Sequence, residues 1–328
     1  MRFLIAGARA IGGYVGACLA RAGEDVTLFA RGPHLRAIEQ RGLAILSAEG
    51  DFHVHPRVTG DLADAGPADV VVLGVKAHSL TQLVPRLAPL IGADTTVVST
   101  QNGIPWWYFL VDESRLPGLH LERVDPGGVI AAAIDPARVV GSIVYFATQI
   151  VAPGVIRHDE GNRISLGEPD GSRSPRCRAI AEALIRAGLR CPVTTRIRHE
   201  IWVKLLGNVA FNPISALTRA TLAGMARDAG VRDIVRCIMA EVEAVATSLG
   251  VEIPISIEQR IAGAEKVGEH KTSMLQDLEA GRPLELEAVV GAVAELGERL
   301  GIAMPHTRTV YACARLLEAA RAPRSTTV

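Results

Sequence analysis

The stretch Ile201-Trp202-Val203-Lys204-Leu205-Leu206-Gly207-Asn208-Val209-Ala210-Phe211-Asn212-Pro213 is apolar except for the Trp202 indole and three side chains, Lys204, Asn208 and Asn212. Each step of four residues advances about 40° past a full helical turn, so the three share one face of a helix. A solvated stripe is the commoner meaning of such spacing. This stripe, however, uses asparagine twice, a poor helix former, and contains neither Glu nor Arg. A lysine beside two amides suits carbonyl reduction: an ammonium that is protonated near neutrality can deliver a proton to the oxygen as a hydride reaches the carbon.

Two further polar groups directly follow buried, strand-like runs. Lys76 comes after Val70-Val71-Val72-Leu73-Gly74-Val75, and Gln101-Asn102-Gly103 comes after Thr96-Val97-Val98-Ser99. Near the N-terminus, Gly7-Ala8-Arg9-Ala10-Ile11-Gly12-Gly13 joins a first strand to a first helix, where a dinucleotide fingerprint GxGxxG belongs. Gly7 suits the tight turn and Gly12 the close helix packing, while the helix N-terminus offers N–H groups to a pyrophosphate. The middle glycine is replaced by Arg9. That side chain must crowd the phosphates or swing clear and pair with them. The expectation is crowding, with added strain if the loop requires positive φ at this residue. Arg31, at the end of the second strand with no acidic neighbour there, points to the 2′-phosphate of NADP(H) rather than to NAD(H).

The elements that position these residues follow from periodicity. Strands at Phe3–Ala6, Val26–Ala30, Val70–Val75 and Thr96–Ser99 alternate with helices at Ile11–Ala22 and from about Pro33 to Arg41. This is the signature of a doubly wound, Rossmann-type α/β sheet whose ligands sit beyond the C-terminal strand ends. Between about Gly141 and Gly167 the texture predicts hairpin strands at Ile143–Phe146, Gly154–His158 and Arg163–Leu166. After about Val193 the chain reads as helical, with long helices from about Ala226 to Leu249 and from Pro283 to Leu300. The expected division is a cofactor domain over 1–193, a helical domain over 194–320 and a frayed polar tail over 321–328.

Composition limits the function classes. Lys plus Arg and Asp plus Glu are equal at 35 each, which argues against nucleic acid or an anionic membrane as the main partner. Five scattered cysteines without CxxC spacing argue against a disulfide framework or a metal site and suit a reducing cytoplasm. No apolar run is long enough for a signal segment or a membrane span.

In chain order, Gly7-x-x-Ala10-Ile11-Gly12-Gly13, Val75-Lys76-Ala77, Gln101-Asn102-Gly103, Trp202-Val203-Lys204-Leu205 with Asn208 and Asn212-Pro213, and Ser273-Met274-Leu275-Gln276-Asp277 resemble the ketopantoate reductase family over nearly the full chain. The resemblance implies an N-terminal Rossmann domain, an all-helical C-terminal domain of the 6-phosphogluconate dehydrogenase type, and a cleft between them. It implies NADPH-dependent reduction of a small 2-oxo acid, with 2-dehydropantoate first among the candidates, and leaves a homodimer open. Lys204 would be the general acid. Asn102, Asn208, Asn212 and Ser273 would bind substrate. Gly7, Ala8, Arg9, Ala10, Ile11, Gly12, Arg31, Lys76, Asn102 and Glu285 would face the cofactor. The chain departs from the family at Arg9 and at Trp106-Trp107-Tyr108, rings that either reshape the substrate pocket or pack a loop. Two competing readings remain. One is a related hydroxy-acid or imine oxidoreductase; the other is a silent NADP-binding protein, against which the joint retention of Lys204, Asn208, Asn212 and Ser273 speaks.

Overall fold

The computed structural model describes residues 1–111 and 115–321. Nine strands form one sheet: β1 (Arg2–Ala6), β2 (Asp25–Phe29), β3 (Leu43–Ser47), β4 (Phe52–Val54), β5 (Arg57–Thr59), β6 (Val70–Leu73), β7 (Thr96–Ser99), β8 (Val139–Ala152) and β9 (Val155–Gly167). Their order is β4-β3-β9-β8-β7-β6-β1-β2-β5. Neighbours from β5 through β8 pair in parallel, β8 with β9 antiparallel, β9 with β3 parallel and β3 with β4 antiparallel. The parallel core strands are apolar on both faces, as burial on both sides demands. Along β1, Phe3 and Ile5 pack into one core and Leu4 and Ala6 into the other. Val70 and Val72 separate from Val71 and Leu73 in the same way along β6.

Helices cover both faces. On one side, α1 (Ala10–Arg21) and α5 (Pro175–Arg186) contribute Val15, Leu19, Ile180 and Leu184; α2 (Gly32–Arg41) follows β2. On the other side lie α3 (Leu80–Leu87) and α4 (Val129–Ala133). The C-terminal part is helical: α6 (Ile197–Thr218), α7 (Leu222–Arg227), α8 (Ala229–Ser248), α9 (Ile257–Val267), α10 (Ser273–Glu279), α11 (Ala292–Arg299) and α12 (Pro305–Arg321). The doubly wound sheet with a helical C-terminal part is thus the architecture observed. The second sheet face and the C-terminal helices share one continuous apolar cluster, from Leu4 and Val97 through Leu83 to Leu205, Val242 and Leu296.

Three expectations need correction. The two strands expected at Gly154–His158 and Arg163–Leu166 are one strand, β9, paired along its length with β8. The polar run between them is an irregularity in the ladder, where Gly161 takes φ +73°. The helix expected from Ala226 breaks at Asp228, whose extended backbone ends α7 and whose carboxylate accepts the Val231 N–H at 2.9 Å to cap α8. Pro283 lies outside the last-but-one helix, which opens instead with a widened π turn over Glu287–Gly291 before α11. Of the tail, Arg321 ends α12 and donates to the Leu278 carbonyl; residues 322–328 lie outside the described residues.

The aromatic cluster packs the interior. Trp106, Trp107, Tyr108 and Phe109 are all buried, and Tyr108 stacks edge-on against Phe109. The Tyr108 hydroxyl accepts the indole N–H of fully buried Trp202 at 2.8 Å, which fixes α6 from behind, two residues before Lys204. Tyr108→Phe keeps the ring and strands that N–H, so unfolding by urea should show a loss of about 1–3 kcal/mol, the cost of an unsatisfied buried donor. An unmoved midpoint would mean that the indole finds another acceptor.

Candidate active site between sheet and helices

A cleft of about 660 Å³ opens between the C-terminal strand ends and the helical part. It is lined from the first loop by Arg9, Ala10 and Ile11, from the sheet by Lys76 and Asn102, and from the helices by Lys204, Asn208, Asn212, Ser273 and Glu285. Ten of the residues singled out in the sequence therefore meet in one place.

The glycine loop has the shape a dinucleotide needs. Gly7 sits at φ +114°, where a β-carbon would also strike Val75 Cγ1. A β-carbon on Gly12 would come within 3.0 Å of the Gly74 Cα, so the pair Gly12–Gly74 sets how closely α1 approaches the sheet. Gly74 was not singled out from the sequence. Arg9 is the N-cap of α1 at φ −82°, ψ −161°, ordinary extended backbone. The conditional strain expected there does not arise. Its N–H is taken by the Gly7 carbonyl, and no side chain caps the helix. The first-turn N–H groups of Ala10 and Ile11, at the cleft surface, precede any i→i−4 partner, so they remain for an anion. Gly7, Ala8 and Gly12 are buried beneath this surface rather than lining it. Arg31 lies exposed at the N-cap of α2, its guanidinium 5.6 Å from the Phe29 ring centre, outside the cleft lining.

The reacting end is a short relay. Lys204 Nζ donates to Asn102 Oδ1 at 2.8 Å and to the Val144 carbonyl at 2.7 Å. Asn102 Nδ2 in turn donates to Glu285 Oε2 at 3.2 Å, and the Ala77 N–H reaches Glu285 Oε1 at 3.4 Å. Burial brings the Lys204 ammonium down to about 8; nearby Glu285 opposes this fall and Arg260 adds to it. Burial also raises the Glu285 carboxyl, against the pull of Lys76 and the Asn102 hydrogen bond. An ammonium has three donors and two are occupied, which leaves one for a ligand.

Lys76 lines the cleft and is held by an ion pair. It pairs with Asp277 and donates to the Pro283 carbonyl at 3.1 Å, while Arg282 Nε reaches the other Asp277 oxygen at 2.9 Å. Asp277 was visible in the sequence as the last residue of Ser273–Asp277 but carried no assigned role; it ties α10 to the sheet end. Gln101 is chiefly structural, donating to the Leu73 and Val75 carbonyls at 2.7 and 2.8 Å. Trp106 and Tyr108 stay out of the cleft. Trp107 reaches only a cavity of about 20 Å³ behind Lys204, room for about one water. Of the two roles left open for this cluster, packing is the one observed.

Two family models match the chain: "Ketopantoate reductase PanE/ApbA" over residues 3–171 and "Ketopantoate reductase PanE/ApbA C terminal" over residues 196–318. A 2-dehydropantoate 2-reductase of Mesorhizobium japonicum is 51% identical over 323 residues, covering 98% of this chain and 99% of that one. A structure from Ralstonia solanacearum MolK2, described with the ketopantoate reductases, superposes with a TM-score of 0.94 at 41% identity, covering 98% of each chain. D-mandelate dehydrogenase, solved with NADH and anilino(oxo)acetate, superposes at 0.84 over 98% of this chain and 99% of its own, at 20% identity, a likeness of fold alone. With matching models over both the sheet and the helices and one relative identical at half its positions, the chain belongs to the ketopantoate reductase family.

Proposed function

We propose that this protein reduces 2-dehydropantoate to pantoate with NADPH, through Lys204 as general acid. The carrying observation is the half-buried Lys204 ammonium, fixed by Asn102 and the Val144 carbonyl at the wall of the cleft with one donor to spare. The family is NAD(P)-dependent. The positive φ at Gly7 and the uncapped N-terminus of α1 fit the pyrophosphate of such a cofactor.

A nicotinamide held in the cleft would supply the hydride to the carbonyl carbon. The protein's own residues do the rest. Lys204 Nζ holds the carbonyl oxygen and transfers its proton there as negative charge develops. Asn102 orients Lys204 and is itself held by Glu285. Asn208, Asn212 and Ser273 bind the remaining polar groups of the substrate along α6 and at the start of α10. Ala10 and Ile11 would hold the pyrophosphate through backbone N–H groups, with Gly7, Ala8 and Gly12 shaping the turn beneath them and Arg9 beside it. Lys76 and Glu285 face the nicotinamide half. Arg31, exposed at the end of β2, takes the adenosine 2′-phosphate and makes NADPH the preferred form. Residues 1–193 act as the cofactor unit and 194–320 as the substrate unit, in a cytoplasmic enzyme whose only other ligand is the oxo acid.

Consumption of NADPH with 2-dehydropantoate, set against other 2-oxo acids and imines, tests the reading directly; turnover confined to an imine or another acid would overturn the substrate assignment. Lys204→Ala should lower kcat by about 10²–10⁴-fold with NADPH affinity little changed; near-normal turnover would remove Lys204 from the mechanism.

Because the donor must be protonated, kcat/KM for reduction should be level below pH 8 and fall as pH rises through about 8. The Glu285 carboxylate raises the Lys204 ammonium, so Glu285→Gln should move that falling limb to lower pH. The only lysines are Lys76, Lys204, Lys266 and Lys271, so the Lys204 signal can also be followed by NMR. An unmoved limb would mean that Glu285 is already protonated. Arg31→Ala should erase most of a roughly ten- to hundredfold preference for NADPH over NADH, the worth of a charge-assisted contact. Equal use of both cofactors by the unmodified protein would overturn the assignment of Arg31.

A further inference from the structure

Arg260 is a half-buried charge in the cleft wall that the relay does not use. It sits on α9, on the same face as Ile257, Ile261 and Ala264, three and four residues apart, so an apolar stripe turns it inward. Its guanidinium lies across Gly207 of α6, where a β-carbon would fall on the guanidinium nitrogens. Its Nε is buried with no hydrogen-bond partner, and among the described residues no carboxylate lies within ion-pairing distance of it. Arg227, Arg232, Arg236 and Arg282, its neighbours in sequence, all have carboxylate partners. Buried polar groups are satisfied in folded proteins, and each exception calls for an explanation. Burial without a counter-charge pulls its pKa down, and its positive charge is felt at Lys204.

We propose that Arg260 binds the carboxylate of the 2-oxo acid, and that Gly207 lacks a side chain to seat its guanidinium. This deepens the proposed function and rests on that reading. In a 2-oxo acid the carboxylate and the carbonyl occupy adjacent carbons. A cation for the first must therefore stand within about one helical turn of the proton donor for the second. Gly207 is three residues beyond Lys204, and residues three apart are neighbours on a helix face, about 5–6 Å between β-carbon positions. A planar guanidinium with two parallel donors matches a carboxylate, and its unpaired Nε is then satisfied. The charge would exclude neutral carbonyl compounds: an ester or lactone leaves the guanidinium buried and still without a counter-ion.

The test compares pantoate with its neutral lactone in binding, by calorimetry with NADP⁺ present, and 2-dehydropantoate with its lactone in turnover. Arg260→Met should weaken pantoate binding and raise KM for the acid by roughly ten- to hundredfold, the worth of a charged hydrogen-bonded pair. NADPH affinity should stay within about twofold and turnover of the lactone should hold or rise, so the preference for acid over lactone collapses. Arg260→Lys should retain part of that preference. Gly207→Ala, which displaces only the flexible end of Arg260, should reproduce the loss while the protein stays folded and binds NADPH. Acid binding unchanged in Arg260→Met, parallel losses for acid and lactone, or a fall in NADPH affinity would each overturn the proposal. So would failure of the unmodified protein to bind the acid. Should the unmodified protein bind the acid through Arg260 yet reduce no 2-dehydropantoate, the carboxylate site stands and the assigned reaction falls.

Discussion

The site depends on keeping one ammonium out of bulk water while holding it in place. Lys204 stands on a helix, but both of its acceptors come from the sheet side: Asn102 from the loop after β7, and the Val144 carbonyl from β8. Taking a charge out of water is costly unless it is hydrogen-bonded, and two oxygens meet that cost only in part. The remainder appears as an ammonium brought to about 8, close enough to neutrality for ready proton transfer in both directions. The two contacts set the geometry, and the burial around them sets the acidity. Neither survives if sheet and helices shift relative to each other.

That relative position is fixed by several means. The apolar cluster runs without interruption from the second face of the sheet into the C-terminal helices. At the cleft itself, Gly103 at φ +93° lets its backbone press against Ala288, and the Ile104 N–H donates to the Ala288 carbonyl at 3.0 Å. Ala288 lies in the π turn, where the widened helix presents this carbonyl to a partner outside itself. The contact joins the loop carrying Asn102 to the segment carrying Glu285, and the Asn102–Glu285 hydrogen bond spans the same junction. Lys76 with Asp277 makes a second polar tie one strand over.

The parts legible in the sequence were those with a period or a fixed offset. Lys204, Asn208 and Asn212 stood out because polar residues four apart interrupt an apolar helix; Lys76 and Asn102 stood out because each directly follows a buried strand. β3, β4 and β5 escaped notice because they are short and mixed in polarity, and β4 and β5 lie at the sheet edges, where alternation is weak. β9 was divided in two because Asp159-Glu160-Gly161-Asn162 reads as a turn, whereas in the sheet it is a bulge set by Gly161. The break at Asp228 was hidden by apolar periodicity on either side of it. Arg260 was legible in principle, since an arginine at the i+3 position of an apolar stripe is unusual. Its lack of a partner, however, is a tertiary fact.

Arg9 shows how a departure from a motif can be judged only in three dimensions. Read as a string, the loss of the middle glycine suggests a damaged phosphate loop. In the fold, the residue at this place is a helix N-cap with negative φ, a conformation open to any side chain, and its amide is already spent on the Gly7 carbonyl. Glycine is required two residues earlier, at Gly7 for its φ, and three residues later, at Gly12 for its contact with Gly74. Both of those glycines are present. What Arg9 changes is volume and charge. α1 has no acidic residue in its first turn and no capping side chain, so a guanidinium beside the free first-turn N–H groups adds positive potential where the helix dipole is already positive. An anionic phosphate arriving there would meet more attraction than a glycine loop would offer, in a space that the arginine side chain must leave.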